Sequence, residues 1–174
     1  MTSAAMMRLG AAMIALLGVF AGAAAAQAPQ RTTATYEDWT VRCEVRGTPA
    51  VKACEMVQAV TAQGQASPVT QMAIGRANKG EPVKIVFQLP INIWIPAGVK
   101  LVYDAKEAAL PASYRWCVPA GCFADIDLKD DLVKKLRVRT LPGRFEFKDA
   151  GQRAVAIPIS FKGFGQAFDA LAKE

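Results

Sequence analysis

The sequence has 174 residues, a formal net charge of +6 and no histidine. A chain of this length predicts a single domain, and without imidazole it has no histidine base, no Ser-His or Cys-His nucleophile pair and no histidine-ligated metal. The three serines beyond residue 26 lie outside G-x-S-x-G and S-x-x-K motifs, which argues against the familiar serine hydrolases.

Residues 1–26 have the three-part pattern of a secretory signal peptide. Arg8 is their only charged residue, an uncharged apolar run follows over residues 9–20, and small residues end at Ala26 before Gln27. A membrane span needs about 20 strongly apolar residues, whereas much of this run is Ala or Gly. We therefore expect cleavage after Ala26, no transmembrane segment in the mature chain, and a location in the periplasm, at the cell surface or outside the cell.

Residues 27–35 are polar and rich in Ala and Thr, and we expect them to be a disordered lead-in to one domain over residues 36–174. From Trp39 onward apolar and polar residues alternate. This pattern predicts a strand, a turn at residues 46–52 and a second strand over residues 54–62, which together form a hairpin.

Further alternating stretches follow along the chain, separated by Gly and Pro. They lie at residues 83–89, 91–95, 99–103, 114–118, 145–147 and 155–161. Short alternating strands at such spacing predict an antiparallel sandwich or barrel.

Two segments have helical periodicity instead. In residues 127–138 four apolar side chains form one stripe, Asp127 is placed to cap the helix, and two acid-to-base pairs stand four residues apart, namely Asp130 with Lys134 and Asp131 with Lys135. Residues 163–173 repeat apolar side chains at helical spacing near the C-terminus. The predicted class is mainly β with two short helices.

The four cysteines predict two disulfides, because an even number in an exported chain is typical of structural bridges. Three pairings are possible, and proximity along the chain favours Cys43–Cys54 and Cys117–Cys122. The C-x10-C and C-x4-C spacings match neither a four-cysteine zinc site nor a C-x-x-C redox site. We therefore expect no metal and no cofactor.

Several short motifs also stand in a distinctive order. They are the W-x-V-x-C start at Trp39, the later Cys54, the LPINIWIPAGV run of residues 89–99, the C-x-x-x-G-C pair of residues 117–122 and the Gly-Phe-rich end from Gly163. Together they resemble the invasion-associated locus B family of exported alphaproteobacterial proteins over residues 36–171. The resemblance implies an immunoglobulin-like β-sandwich, an envelope or surface location and, in pathogenic members, association with entry into host red cells. It carries over no catalytic residues.

Trp94 is the first candidate binding residue. Pro90 and Pro96 deny hydrogen-bond donors to the run around it, which predicts an edge strand or a sharp bend. Trp94 alternates with three isoleucines and so points away from them, as an exposed aromatic platform would. The alternative is a Trp94 buried in the core or beneath a helix.

A basic stretch is the second candidate. Residues 134–162 hold eight cations against two carboxylates and could form a patch for an anionic surface such as lipopolysaccharide, lipid or acidic glycan. The candidate residues are Lys134, Lys135, Arg137, Arg139 and Arg144. A scattered solvated face is the alternative, because strand residues alternate sides. The expected export argues against nucleic acid as a partner.

The acidic residues are the candidates for catalysis or for calcium binding. They are Asp104, Glu107, Asp125, Asp127, Asp130 and Asp131. A glycosidase needs two carboxylates about 5–10 Å apart, and the DIDLKDD run lacks the spacing of a calcium loop. We assign no catalytic residues and predict that the protein is not an enzyme.

The sequence thus predicts an exported, non-enzymatic binding protein of the bacterial envelope, whose partner is an envelope component or another protein. Two alternatives remain: an envelope enzyme that uses carboxylates on glycans, and a structural protein that maintains the envelope without a ligand.

The signal peptide predicts the N-terminus of the mature protein. N-terminal sequencing of the protein recovered from its native host should begin at Gln27, because the small residues ending at Ala26 suit signal peptidase. A product that begins at Met1 would contradict the cleavage.

Overall fold

The computed structural model describes residues 31–60, 70–78 and 80–174, and the expected signal peptide lies outside these ranges. Within them the chain forms strands, two α-helices and one 3-10 helix. The strands are β1 (Arg31–Tyr36), β2 (Trp39–Arg46), β3 (Val51–Val60), β4 (Thr70–Gly75), β5 (Lys84–Leu89), β6 (Val99–Val102), β7 (Leu110–Val118), β8 (Gly121–Asp127), β9 (Gly143–Lys148) and β10 (Ala154–Ile159). The helices are α1 (Asp130–Arg137), α2 (Phe164–Ala172) and the 3-10 helix Ile95–Ala97.

All neighbouring strands pair antiparallel, in the order β1-β2-β3-β4-β5-β8-β7-β6-β9-β10. The first layer of the fold contains β1 to β5, β8 and the end of β7, and the second layer contains the start of β7, β6, β9 and β10. Strand β7 therefore belongs to both layers. Its residues 113–118 pair with β8, whereas residues 110–112 pair with β6. The predicted antiparallel sandwich with two short helices and two disulfides is confirmed.

Alternation places one side of each strand in the core. In β5, Ile85, Phe87 and Leu89 are buried while the residues between them are partly exposed. Phe87 of the first layer meets Phe145 of β9 across the interior, with ring centroids 5.2 Å apart. This contact joins the two layers near their centre.

The end of β10, an edge strand, is joined to β2 and β3 by side-chain hydrogen bonds instead of a strand ladder. The indole N–H of buried Trp39 donates to the Ser160 carbonyl oxygen at 3.0 Å. The Gln58 amide donates to the same oxygen at 3.1 Å and accepts from the Ser160 N–H at 2.8 Å. Gln58 therefore gives Ser160 the two hydrogen bonds that a neighbouring strand would give it.

Both disulfides have the pairing that proximity favoured. Cys43 faces Cys54 directly across β2 and β3, and Cys117 faces Cys122 at the end of the β7–β8 hairpin. Each bridge fixes the register of one hairpin, because a slip of one residue would move its two cysteines to opposite faces.

Helix α2 covers the inner side of β2 and β3. Phe164 and Ala167 are fully buried, and Phe164 packs edge-on against Trp39 with centroids 5.5 Å apart. Gly163 starts the helix with φ of +77°, and a Cβ at this position would overlap the Tyr36 carbonyl oxygen. Only glycine allows this close approach.

Three local predictions are wrong. The disordered lead-in is wrong for residues 31–35, which pair with β2 as strand β1; their Thr side chains favour a strand although they are exposed. Asp127 does not cap α1, because it lies in β8 beside Lys84, and Lys129 occupies the N-cap. The run of residues 91–95 is not the strand that its alternation predicted: it forms the sharp bend that Pro90 and Pro96 also allowed, with a single bridge at Ile93.

Replacing Gly163 tests the packing of α2. We expect Gly163→Ala to destabilise the protein by about 2 kcal/mol or more, because alanine disfavours positive φ and its methyl group would collide with backbone. Gly165→Ala, two residues further along, is the control: its Cβ meets nothing closer than 3.7 Å. This control should be neutral or stabilising by about 0.5–1 kcal/mol, since alanine favours helix. Equal effects of the two variants in urea denaturation would contradict the close packing.

Candidate binding surface

The loop between β5 and β6 exposes Trp94. The backbone N–H of Trp94 donates to the Lys148 carbonyl oxygen at 2.8 Å, and Ile93 forms a β-bridge with Asp149. The loop is therefore attached to the end of β9. Gly98 then turns the chain into β6 with φ of +66°. Trp94 is 40% exposed, as a platform requires, and the alternative of a buried Trp94 is wrong.

The same loop exposes two of the three isoleucines that were expected on the side opposite Trp94. Ile91 and Ile95 are both at least half exposed, and only Ile93 is partly buried against the core. The alternation does not hold because the chain leaves extended geometry at the 3-10 helix. The indole of Trp94 and the side chains of Ile91 and Ile95 therefore all face solvent.

The tip of the β7–β8 hairpin exposes a second tryptophan. A bulge at Arg115 moves Trp116 to the outer face of the first layer, where it stacks on Phe123 with ring centroids 5.3 Å apart. Trp116 remains 54% exposed, and Val118 beside the turn is also exposed. The Cys117–Cys122 bridge fixes this hairpin end.

The hairpin tip and the Trp94 loop lie at the same end of the sandwich. The Gln88 amide donates to the Ala120 carbonyl oxygen at 2.9 Å, just before the chain enters the loop. A Cβ on Gly121 would lie 2.5 Å from the Leu89 carbonyl oxygen, so β5 ends against the hairpin turn. We call the five exposed side chains here the aromatic end: Ile91, Trp94, Ile95, Trp116 and Val118.

The basic candidate residues do not form a patch of free cations. Each one has a carboxylate partner: Lys134 with Asp131, Lys135 with Glu107, Arg137 with Asp169, Arg139 with Asp104 and Arg144 with Glu146. Arg137 also lies over the Phe168 ring and so connects α1 to α2. Much of the positive charge of this segment is thus balanced within the protein.

Two of these pairs line a cavity of about 260 Å³. The Lys135–Glu107 and Arg139–Asp104 pairs stand beside Tyr103, whose hydroxyl accepts from Lys135. The Lys106 backbone N–H and the Arg139 guanidinium lower the pKa of Asp104, and Lys135 lowers the pKa of Glu107. Both carboxyls are thereby held in the charged state.

Asp125 lies between two cations on the outer face of the first layer. Partial burial opposes its ionisation, but hydrogen bonds from Arg115 and Lys84 outweigh this effect and lower its pKa. Neighbouring cations and hydrogen-bond donors likewise lower the pKa of other carboxyls in the described residues, namely those of Glu44, Asp149 and Asp169. A glycosidase acid needs a raised pKa.

One cluster in the described part of the chain has the spacing of metal ligands. Its atoms belong to Cys43, Cys54 and Glu174 and lie within 4.8 Å of one another. Because the two sulfurs form a disulfide, they offer no thiolates to a metal.

Trp116 and Val118 were not predicted as binding residues. The alternation with Tyr114 assigned all three side chains to one face, and a bulge cannot be read from that alternation. Pro90 and Pro96 mark the Trp94 loop in the sequence, and Pro119 and Gly121 mark the turn between β7 and β8. Neither signal shows that the two turns lie beside each other.

Asp125→Asn tests the ion pairs of the outer face. At pH 7 we expect it to lower the free energy of unfolding by about 1–2 kcal/mol, because it removes charge-assisted hydrogen bonds from Arg115 and Lys84. The lowered pKa means that this contribution is complete above about pH 4 and is lost as the pH falls through the folded-state pKa. The difference between variant and wild type should therefore shrink as the pH falls below about 4.

Asp131→Asn is the matched control, because the Asp131 side chain is 92% exposed and contacts Lys134 only at 3.5 Å. It should lower the free energy of unfolding at pH 7 by less than Asp125→Asn does, about 0.5 kcal/mol, because it removes only an exposed ion pair and a charge in the first turn of α1. A deficit of Asp125→Asn that is constant with pH would contradict the ionic origin.

None of the helices in the described ranges is long and apolar enough to cross a membrane. Comparison with known proteins found relatives over most of the chain. An invasion protein B homolog of Brucella abortus strain 2308 is 27% identical over 137 residues, which cover 79% of this chain and 77% of the relative. A homolog from Brucella abortus biovar 1 matches equally well.

A solved structure has the same fold. The crystal structure of invasion associated protein B from Bartonella henselae superposes with a TM-score of 0.68 and 25% identity, covering 82% of this chain and 95% of that chain. The family model for the invasion associated locus B (IalB) protein matches residues 39–172. The chain therefore belongs to the invasion-associated locus B family.

Proposed function

We propose that this family member is an exported, non-enzymatic binding protein of the bacterial envelope that contacts its partner through the aromatic end. Two disulfides support export, because such bridges persist in oxidising compartments. The names of its relatives point to invasion as one setting for this binding.

The exposure of the aromatic end carries the proposal. Each of its five side chains leaves at least two-fifths of its surface exposed, although the same sandwich fully buries Trp39 and Phe87. Neighbouring exposed apolar groups are uncommon on monomeric proteins and mark sites of interaction. Tryptophan in particular combines a large apolar area with a polar N–H, which suits it to interfaces.

The charged residues support binding over catalysis. Three of the candidate carboxylates for a glycan-cleaving enzyme, those of Asp104, Glu107 and Asp125, are engaged by Arg or Lys, and their pKa is lowered. The chain also contains no histidine. The five basic candidate residues make a weaker surface for an anionic partner, since each is already paired within the protein.

The proposal can be tested by replacing both exposed tryptophans in the native host. We expect Trp94→Ser with Trp116→Ser to remove most crosslinked adducts between the protein and envelope components, because it deletes the two largest contact groups. Export, abundance and circular dichroism should be unchanged, since neither indole fills the core.

A double variant at exposed apolar positions outside the aromatic end is the control. Val138→Ser with Leu141→Ser also removes exposed apolar groups, but these lie between α1 and β9. It should retain the adducts. If the tryptophan variant keeps all adducts, or if both variants lose them equally, the aromatic end is not the contact surface.

A further inference from the structure

Three chain reversals lie at the end of the sandwich that carries the aromatic end. They are residues 90–98, the hairpin turn of residues 118–121 and the hairpin turn of residues 148–153. Backbone hydrogen bonds join the first to the third, with the Ala150 N–H donating to the Asn92 carbonyl oxygen at 3.0 Å. The Gln88 amide ties the start of the first to the second. These hydrogen bonds hold the three reversals together at one end of the sandwich.

Several peptide groups in these reversals have partners within the protein. The N–H groups of Trp94, Ala97 and Gly98 all donate to backbone carbonyl oxygens at 2.8–3.2 Å. This matters for an apolar partner, because each unpaired peptide group moved out of water costs free energy. The exposed side chains can therefore enter a less polar medium without exposing these N–H groups.

The charges around the three reversals favour an anionic partner. Residues 90–98 and 118–121 contain no charged residue, whereas residues 148–153 contain Lys148 and Arg153 against Asp149. Arg153 is paired with Asp149, which leaves Lys148 as the excess cation. A cation at the surface of an anionic bilayer contributes about 1 kcal/mol.

The composition of the aromatic end suits a lipid interface. Its apolar side chains project outward and, among the residues described, do not line a pocket that could receive a partner's side chain. Two cavities in the described part of the chain, of about 260 and 770 Å³, are lined by other residues. The aromatic end instead presents Trp, Ile and Val outward beside a lysine, and this composition suits the boundary between lipid headgroups and acyl chains.

From these contacts we infer that the aromatic end is a membrane-contact surface, which places Trp94 and Trp116 in the headgroup region of an anionic phospholipid bilayer. The inference rests on the proposed function for the choice of surface and adds the class of partner. The contact is peripheral: loops enter the interface while the sandwich stays in water.

Vesicle binding of the mature protein tests this inference. Vesicles of equal parts phosphatidylglycerol and phosphatidylcholine should sediment with the protein, whereas pure phosphatidylcholine should bind it more weakly. The chain has three tryptophans, and because Trp39 is buried, a blue shift and reduced acrylamide quenching would report on Trp94 and Trp116.

Variants identify the contact residues. Trp94→Ser and Trp116→Ser should each weaken vesicle binding about tenfold or more, since each removes a large apolar area. Lys148→Glu should weaken binding to the anionic vesicles only. The Val138→Ser, Leu141→Ser control should bind as the wild type does, and circular dichroism should show all variants folded.

Absence of binding to anionic vesicles would overturn the inference, as would binding that is unaffected by both tryptophan variants. If the crosslinked envelope adducts depend on the aromatic end but vesicles do not bind, the partner is a protein or glycan. That result would overturn the membrane contact and leave the proposed function standing.

Discussion

The peptide group of Ser160 holds the end of β10 against β2 and β3. It accepts hydrogen bonds from the Trp39 indole and the Gln58 amide, while the Ser160 N–H donates back to Gln58. These partners lie 121 and 102 residues away in sequence. Without them, the buried polar groups would lose their partners, and the large ring of Trp39 would lose the orientation in which Phe164 packs against it.

This frame supports the aromatic end, which consists of side chains from the loop of residues 90–98 and from the end of β7. The Cys117–Cys122 bridge and the strand ladders of β5 and β8 fix the positions from which the loops leave the sandwich. Cross-element ion pairs such as Arg137–Asp169 attach the helices to each other. The five basic candidate residues thus pair with carboxylates within the molecule, whereas the large apolar side chains of the aromatic end remain exposed.

The sequence predicted the features that depend on neighbours along the chain. Alternation located β2, β5 and β10, and the hairpin between β2 and β3 agreed with the Cys43–Cys54 pairing. Strand β4 was missed because it is buried on both faces and does not alternate. Trp94 was predicted as a candidate, but Trp116 depends on a bulge, and the partners of Arg137 and Arg139 lie 32 and 35 residues away.

The packing of α2 has a consequence for the order in which the domain can fold. Residues 160–172 supply the acceptor for the Trp39 indole and the aromatic ring that covers it, so the interior around β2 and β3 stays open until these residues are present. The strands that begin the domain therefore cannot complete their core from local contacts. Their burial depends on a segment more than 100 residues further along the chain.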